Sequence, residues 1–346
     1  MISSTIDLVE RGLVPDRLTR MGIRSLLRKR LRDEGAGDPT AQQERLMALV
    51  ATLRASPLAV ETDKANEQHY EVPAAFYQLV LGSHLKYSSA LWPEHGGTLD
   101  QAEHDMLATT CARAQLADGQ RILELGCGWG SLTLWMGSHY PQATIVAVSN
   151  SHSQRAYIMG QARARGLSNV TVITADLREF QIDERFERVV SVECFEHLRN
   201  YHELFRRIAT WLKPGGKLFV HIFSHRAFAY PFSAEGEDDW MGRNFFSGGI
   251  MPADQLFLYF QEHLAIEEHW RVNGAHYART ARAWLDNLDR RRGEALSVFA
   301  AQPGPHEPRT QVERWRMFFM ACEELFGFHQ GREWLVSHYR FTAKAC

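Results

Sequence analysis

Along the first 60 positions, apolar residues recur at roughly helical spacing: Leu8, Leu13, Leu18, Ile23, Leu26, Leu27 and Leu31. Steps of three to five residues keep them near one side of a helix. The pattern breaks near Pro15, because proline brings no N–H to an interior helical turn. A polar stretch at residues 33–40, carrying Gly35, Gly37 and Pro39, precedes a second helix at 41–53, and Pro57 closes the unit. Residues 66–117 read as mostly helical around an aromatic link, Tyr87-Ser-Ser-Ala-Leu-Trp92.

Beyond residue 117 the period changes. Short β-branched runs at 121–125, 143–149, 170–174, 188–192 and 216–222 alternate with stretches long enough for helices at 131–140, 153–166 and 201–212. Parallel strands need such crossovers, so the pattern predicts an α/β sheet with helices on both faces. Two later strands are expected at 264–272 and 334–344. A helical insertion around 275–333, with Trp284, Trp315, Phe318 and Phe319, lies between them. The expected organisation is a helical extension at 1–60, a helical cap at 61–116 and the sheet-bearing core at 117–346.

Composition narrows the classes. With 346 residues, 45% hydrophobic and 23% charged, the chain has the make-up of an ordinary globular protein. Lys+Arg 39 against Asp+Glu 41 leaves a net charge of −2, so no basic field points to nucleic acid. Apolar runs fall short of the ~18–20 residues a bilayer span needs, and Asp7, Glu10 and Arg11 interrupt the start, so no signal peptide is expected. Cys111, Cys127, Cys194, Cys322 and Cys346 are scattered and odd in number. A reducing, cytoplasmic setting is therefore expected, without a disulfide framework or a metal site. The segment at 24–32 is basic and amphipathic. It reads either as a surface for anionic membrane or as a solvated face, and Asp33 and Glu34 just beyond it favour the latter.

The most informative local feature is Leu123-Glu-Leu-Gly-Cys-Gly-Trp-Gly130, closing one strand and opening a helix. Glycines there let the backbone turn sharply and approach a ligand. A pyrophosphate site would use GxGxxG. Here the spacing is GxGxG beside Glu124, a carboxylate that would repel phosphate but suit a cation, which favours S-adenosylmethionine. Asp176, after the third strand, can accept from an adenine amino group. The second strand ends in Ser149-Asn150 rather than in an acid, so Asn150 and Gln154 are the expected ribose partners.

The segments His69-Tyr-Glu-Val-Pro73, Tyr87-Ser-Ser-Ala90, Glu124 to Gly130, Val192-Glu-Cys-Phe-Glu-His197, Phe245-Phe-Ser-Gly-Gly249 and Asn273-Gly-Ala-His-Tyr-Ala278 resemble the cyclopropane-fatty-acid-synthase-like methyltransferases. Glu237-Asp-Asp-Trp240 and His269 to Tyr277 point to the coclaurine N-methyltransferase branch. The resemblance runs from about residue 60 to 344. It implies the class I S-adenosylmethionine-dependent methyltransferase fold, a Rossmann-like mixed seven-stranded sheet, and methyl transfer to a small aromatic or benzylic amine such as a tetrahydroisoquinoline. By that resemblance the cofactor meets Tyr87, Ser88, Gly126, Gly128, Asn150, Gln154, Asp176 and Leu177. The acceptor meets Trp240, Phe245, Phe246, His221 and Tyr277.

Glu193, Glu196 and His197 are the expected catalytic group. Two carboxylates and an imidazole at a strand end can attract a cationic amine, orient it and take its proton. The alternative is action on lipid, as a cyclopropane synthase or headgroup methyltransferase, and only this reading calls for membrane contact. The resemblance places a bicarbonate site at Ser89, Glu196, His221 and Tyr277, but Ser89 stands where cyclopropane synthases keep a cysteine, which tilts the choice toward nitrogen. It also attaches a catalytic cysteine to Cys322, whose setting reads as an apolar helix face. Homo-oligomerisation is left open.

Overall fold

The computed structural model describes residues 2–59, 72–232, 240–302 and 306–344. Residues 69–71 and 237–239 of the motifs above, and Cys346, lie outside the described residues. The central sheet contains β1 (Arg121–Leu125), β2 (Thr144–Ser149), β3 (Val170–Thr174), β4 (Phe186–Val192), β5 (Leu212–His225), β8 (Leu264–Val272) and β9 (Trp334–Ala343). Its order is β3-β2-β1-β4-β5-β9-β8, parallel from β3 to β5 and antiparallel on both sides of β9. Strands β1 and β2 are buried almost throughout, as their unbroken apolar runs require when helices cover both faces. This is the mixed seven-stranded sheet expected, and it is the class I methyltransferase arrangement. Between β1 and β4 the strand order reverses. Ligands of open α/β sheets bind at the carboxyl ends of such a pair.

Helices α6 (Ser131–His139), α7 (His152–Ala164) and α8 (Tyr201–Trp211) are the crossovers. Their starts are set locally: Ser151 and Asn200 accept the N–H of Gln154 and Glu203 as caps. Helix α8 buries Tyr201, Leu204, Phe205, Ile208 and Trp211, a three- and four-residue stripe laid on the sheet. Truncating one such ring, Phe205→Ala, costs about 3–5 kcal/mol.

Around this core sit α1 (Ile2–Glu10), α2 (Asp16–Glu34), α3 (Pro39–Ala55), α4 (Ala74–Val80) and α5 (Leu99–Arg113) on the amino-terminal side. A short helix α9 (Trp240–Asn244) and three longer ones, α10 (Gly274–Arg290), α11 (Arg292–Ala301) and α12 (Pro308–Gly327), come later. Ile23, Leu27 and Leu31 of α2 pack on an aromatic core that includes Trp284, Trp315 and Phe319.

Three features differ from expectation. Residues 81–98 are not helical, because Gly82, Pro93, Gly96 and Gly97 interrupt any turn there. Strand β5 starts earlier, at Leu212, with a register shift that absorbs Pro214 and two glycines. A two-stranded pair, β6 (Tyr230–Pro231) with β7 (Ile250–Met251), was not anticipated. The basic segment of α2 stays mostly at the surface: Arg24 reaches Glu324 of α12 while largely exposed, Arg30 pairs with Glu34 on the same helix, and Arg20, one turn earlier, is the arginine turned inward, onto Glu323 and Glu324. Among the described residues no helix is long and apolar enough to cross a membrane.

Candidate active site

A cleft opens at the carboxyl ends of β1 to β4. It has two lobes of about 130 and about 70 Å³ that share Gly126, Gly128, Gln154, Cys194 and His197. The glycines of the turn do different work. Gly126 has φ +77°, and a Cβ there would collide with Cys194, so the turn packs directly on the end of β4. Gly128, at φ +50°, would meet no atom within 4 Å and lines both lobes, leaving room for a ligand beside bare backbone.

The smaller lobe is walled by Asn150, Gln154, Asp176 and Leu177. Gln154 is buried, its amide oxygen accepting from the Ser149 hydroxyl at 2.7 Å. Asp176 caps its own turn, accepting the Arg178 N–H at 2.8 Å and its Nε–H at 2.9 Å, while its residue faces the lobe. Glu124 lies buried under the turn and accepts from the Thr133 hydroxyl. Burial pushes its carboxyl up to about 7; a neighbouring cation would draw it back toward the charged form. An elongated cleft with a bare glycine floor, amides, a carboxylate at one end and a buried acid beneath fits S-adenosylmethionine in shape and charge.

The larger lobe is reached by the 81–98 loop, which is pinned from both sides. Glu103 of α5 accepts the N–H groups of Gly82 and His84, each at 2.9 Å. Thr280 of α10 takes the N–H of Ala90 and the indole N–H of Trp92. Tyr87 and Ser88 thereby enter the lobe wall.

Glu193 occupies the first position after β4, with φ +46°, a left-handed conformation that is costly for a residue with a Cβ. Its backbone is held there by the bond from its N–H to the His221 carbonyl at 2.8 Å. The side chain is held harder still. Oε1 accepts the Ser89 N–H at 2.9 Å and bonds His221 Nε2 at 3.0 Å, and Oε2 accepts the Tyr277 hydroxyl at 2.6 Å. Burial raises its carboxyl above the usual range, while the Lys86 ammonium, the Ser89 N–H and the Tyr277 hydroxyl oppose that rise. Ser89, His221 and Tyr277, which the resemblance gathers around bicarbonate, here converge on a carboxylate of the chain itself.

Other expected residues fall on either side of the cleft wall. His197 lines both lobes and stacks on Phe246, with rings 8° from parallel, and Phe246 and Tyr277 line the larger lobe. Glu196 points away into the fold: it is fully buried, Oε1 accepts the Phe223 N–H at 2.8 Å, and burial together with Glu193 drives its carboxyl well upward. His221 stands behind Glu193, fully buried. Trp240 donates to Glu10 at 2.7 Å and Phe245 stacks on Phe318 at 4.1 Å, so both belong to the aromatic core behind the wall. The Cys322 thiol is buried and pushed upward by burial and by Glu193, which leaves it a poor nucleophile.

Sequence reasoning missed Lys86. It lines the larger lobe, is fully enclosed, and donates to the Ser88 hydroxyl and the Ser89 carbonyl. Burial lowers its ammonium to about 8. A cation standing between Leu85 and Tyr87, immediately before the Tyr-Ser-Ser link, was the available signal. Trp129, Trp284 and Phe318, which complete the aromatic wall, were also missed as cleft residues.

Residues 59–332 match the family model described as mycolic acid cyclopropane synthetase. The chain is 37% identical over 340 residues to an (S)-coclaurine N-methyltransferase of Thalictrum flavum subsp. glaucum, covering 97% of this chain and 94% of that protein. It is 32% identical to a pavine N-methyltransferase of the same plant, covering 99% and 97%. A crystal structure of coclaurine N-methyltransferase bound to N-methylheliamine and SAH superposes with a TM-score of 0.94 at 36% identity, covering 98% of each chain.

Proposed function

Because the chain belongs to the mycolic acid cyclopropane synthetase family, we propose that it is an S-adenosylmethionine-dependent N-methyltransferase acting on small cyclic benzylic amines of the tetrahydroisoquinoline kind. The observation that carries nitrogen over carbon is the tethered carboxylate. Ser89, His221 and Tyr277 are committed to Glu193, so the base is part of the polypeptide and is in place before any acceptor arrives.

When bound, the cofactor supplies an electrophilic methyl group on sulfur. The protein's part is to bring an uncharged nitrogen to it, since an ammonium has no lone pair. Glu193 draws the cationic amine electrostatically and accepts its proton, and its raised carboxyl makes it a stronger base than a solvated one. Three donors on that carboxylate hold it in one orientation. The Lys86 ammonium opposes the rise that burial causes in that carboxyl. His197, at the shared wall of both lobes, is the group placed to pass the proton outward. Tyr87, Trp129, Trp284 and Phe246 offer ring faces to a flat aromatic acceptor and to its charge. A cytoplasmic setting belongs to the same proposal, supported by the four described cysteines, all of them free thiols.

Methyl-labelled S-adenosylmethionine offered to a panel of secondary amines and, separately, to phospholipid vesicles tests this reading. Label is expected in tetrahydroisoquinolines and absent from lipid. Methylated lipid with silent amines would replace this proposal by the lipid one.

A further inference from the structure

Behind Glu193 runs a line of polar groups that the transfer itself does not touch. His221 of β5 and His338 of β9 face each other as direct partners across the antiparallel pair, both fully buried, with ring centroids 4.5 Å apart. His338 Nε2 lies 2.9 Å from His221 Nδ1, and His338 Nδ1 lies 2.8 Å from Arg113 Nη1, in the last turn of α5. The far end, His221 Nε2, lies 3.0 Å from Glu193 Oε1.

The chemistry of the three side chains leaves one arrangement of protons. A guanidinium only donates, so His338 Nδ1 must accept from Arg113. The proton of neutral His338 then sits on Nε2 and is donated to His221 Nδ1. The His221 proton in turn sits on Nε2 and is donated to Glu193. Protonating either ring, or reversing either tautomer, would set two donors or two lone pairs against each other inside the sheet. Burial and the cations Arg113 and Lys86 push both imidazoles well below their ordinary range, in keeping with two neutral rings.

We propose that Arg113 is a positioning residue: through His338 it locks the tautomer of His221, so that an N–H permanently faces the carboxylate of Glu193. The inference deepens the amine reading and rests on it for the role of Glu193, but the proton arrangement stands independently of any substrate. It assigns direction as well. His221 cannot accept the proton that Glu193 takes up, so that proton leaves by the cleft side, where His197 stands.

Nitrogen-15 NMR of histidine-labelled full-length protein reads the tautomers directly. At pH 7, His221 and His338 are both expected as neutral Nε2–H rings; an Nδ1–H or doubly protonated ring at either position overturns the proposal. In Arg113→Met the lock is released, and a lone pair can face Glu193. The midpoint for Glu193 protonation, followed by its carbon-13 carboxyl signal, is then expected to rise by roughly 0.5–1 pH unit. The acid limb of kcat/KM should move with it, with KM for S-adenosylmethionine unchanged. Arg113→Lys, still a pure donor, is expected to restore both.

The other groups facing Glu193 are Lys86, Glu196, His197, Tyr277 and, from α12, Cys322. Lys86 titrates near 8, so its titration appears on the alkaline side. A structural role alone would lower activity equally at every pH, and an unmoved Glu193 midpoint in Arg113→Met would overturn the proposal. Should no amine be methylated while the tautomers stand, only the amine reading fails.

Discussion

At one end of the cleft, Gly126, Gly128, Asn150, Asp176 and Leu177 all lie within three residues of the ends of β1, β2 and β3. At the other end a single carboxylate, Glu193, is held by the 81–98 loop, β5 and α10, with β9 and α5 behind them. The first end is a set of local turns, each positioned by the strand it follows. The second is a network whose bonds join residues 28 to 225 positions apart in sequence. A local site loses one contact at a time; a network anchored on a strained residue loses its geometry together.

That difference predicts graded damage. The largest effect is expected at the network's hub. Glu193→Gln keeps the shape but cannot take a proton, and should lower kcat by ~10²–10⁴-fold. The dissociation constant for S-adenosylhomocysteine, measured by calorimetry, should stay within about twofold, as the smaller lobe has its own supports. Loss of cofactor binding in this variant would erase the distinction between the two ends.

Asp176→Ala makes the complementary cut. It should weaken S-adenosylhomocysteine about tenfold, the scale of one hydrogen bond. At saturating cofactor kcat should be unchanged. An unaltered dissociation constant would mean that Asp176 serves its own turn through Arg178 and nothing else.

The smallest expected effect is on stability. Glu124 is raised from 4.5 to about 7 by burial. Between those values the folded state holds a proton that the unfolded chain has released. The contribution is therefore complete below about pH 4.5 and is lost as pH rises through about 7. Urea unfolding of the cofactor-free protein should show stability declining across this window, and less steeply in Glu124→Gln. The decline should not vanish, because Glu103 is also raised to about 7. An identical slope in the variant would place the titration elsewhere.

The same contrast explains what the sequence revealed. The alternation of β-branched runs with helical stretches, and the glycine turn at 126–130, are short-range signals set by periodicity and backbone freedom, so the sheet and the strand-end residues that wall the smaller lobe were readable. The partners of Glu193 come from positions 89, 221 and 277, and the line behind it from 338 and 113. No local pattern announces that a histidine in a β-branched strand will face another across a sheet. Glu196 looked equivalent to Glu193 in the Glu-Cys-Phe-Glu-His run, but the single turn of 3₁₀ helix from Phe195 to His197 rotates it into the fold. The resemblance named Trp240 and Phe245 together with Phe246, and only packing separates wall from core. The pairing of Arg20 and Arg24 depends likewise on Glu323 and Glu324, some 300 positions away.

The resting place of the acceptor nitrogen decides whether Glu193 is the base. A crystal structure of the enzyme with S-adenosylhomocysteine and a tetrahydroisoquinoline measures that position. The nitrogen is expected within hydrogen-bond reach of the Glu193 carboxylate, on the side facing the cofactor sulfur, with Ser89, His221 and Tyr277 still bonded to that carboxylate. A nitrogen seated away from Glu193, or a Glu193 side chain swung out of reach of the sulfur, would contradict its role as the base.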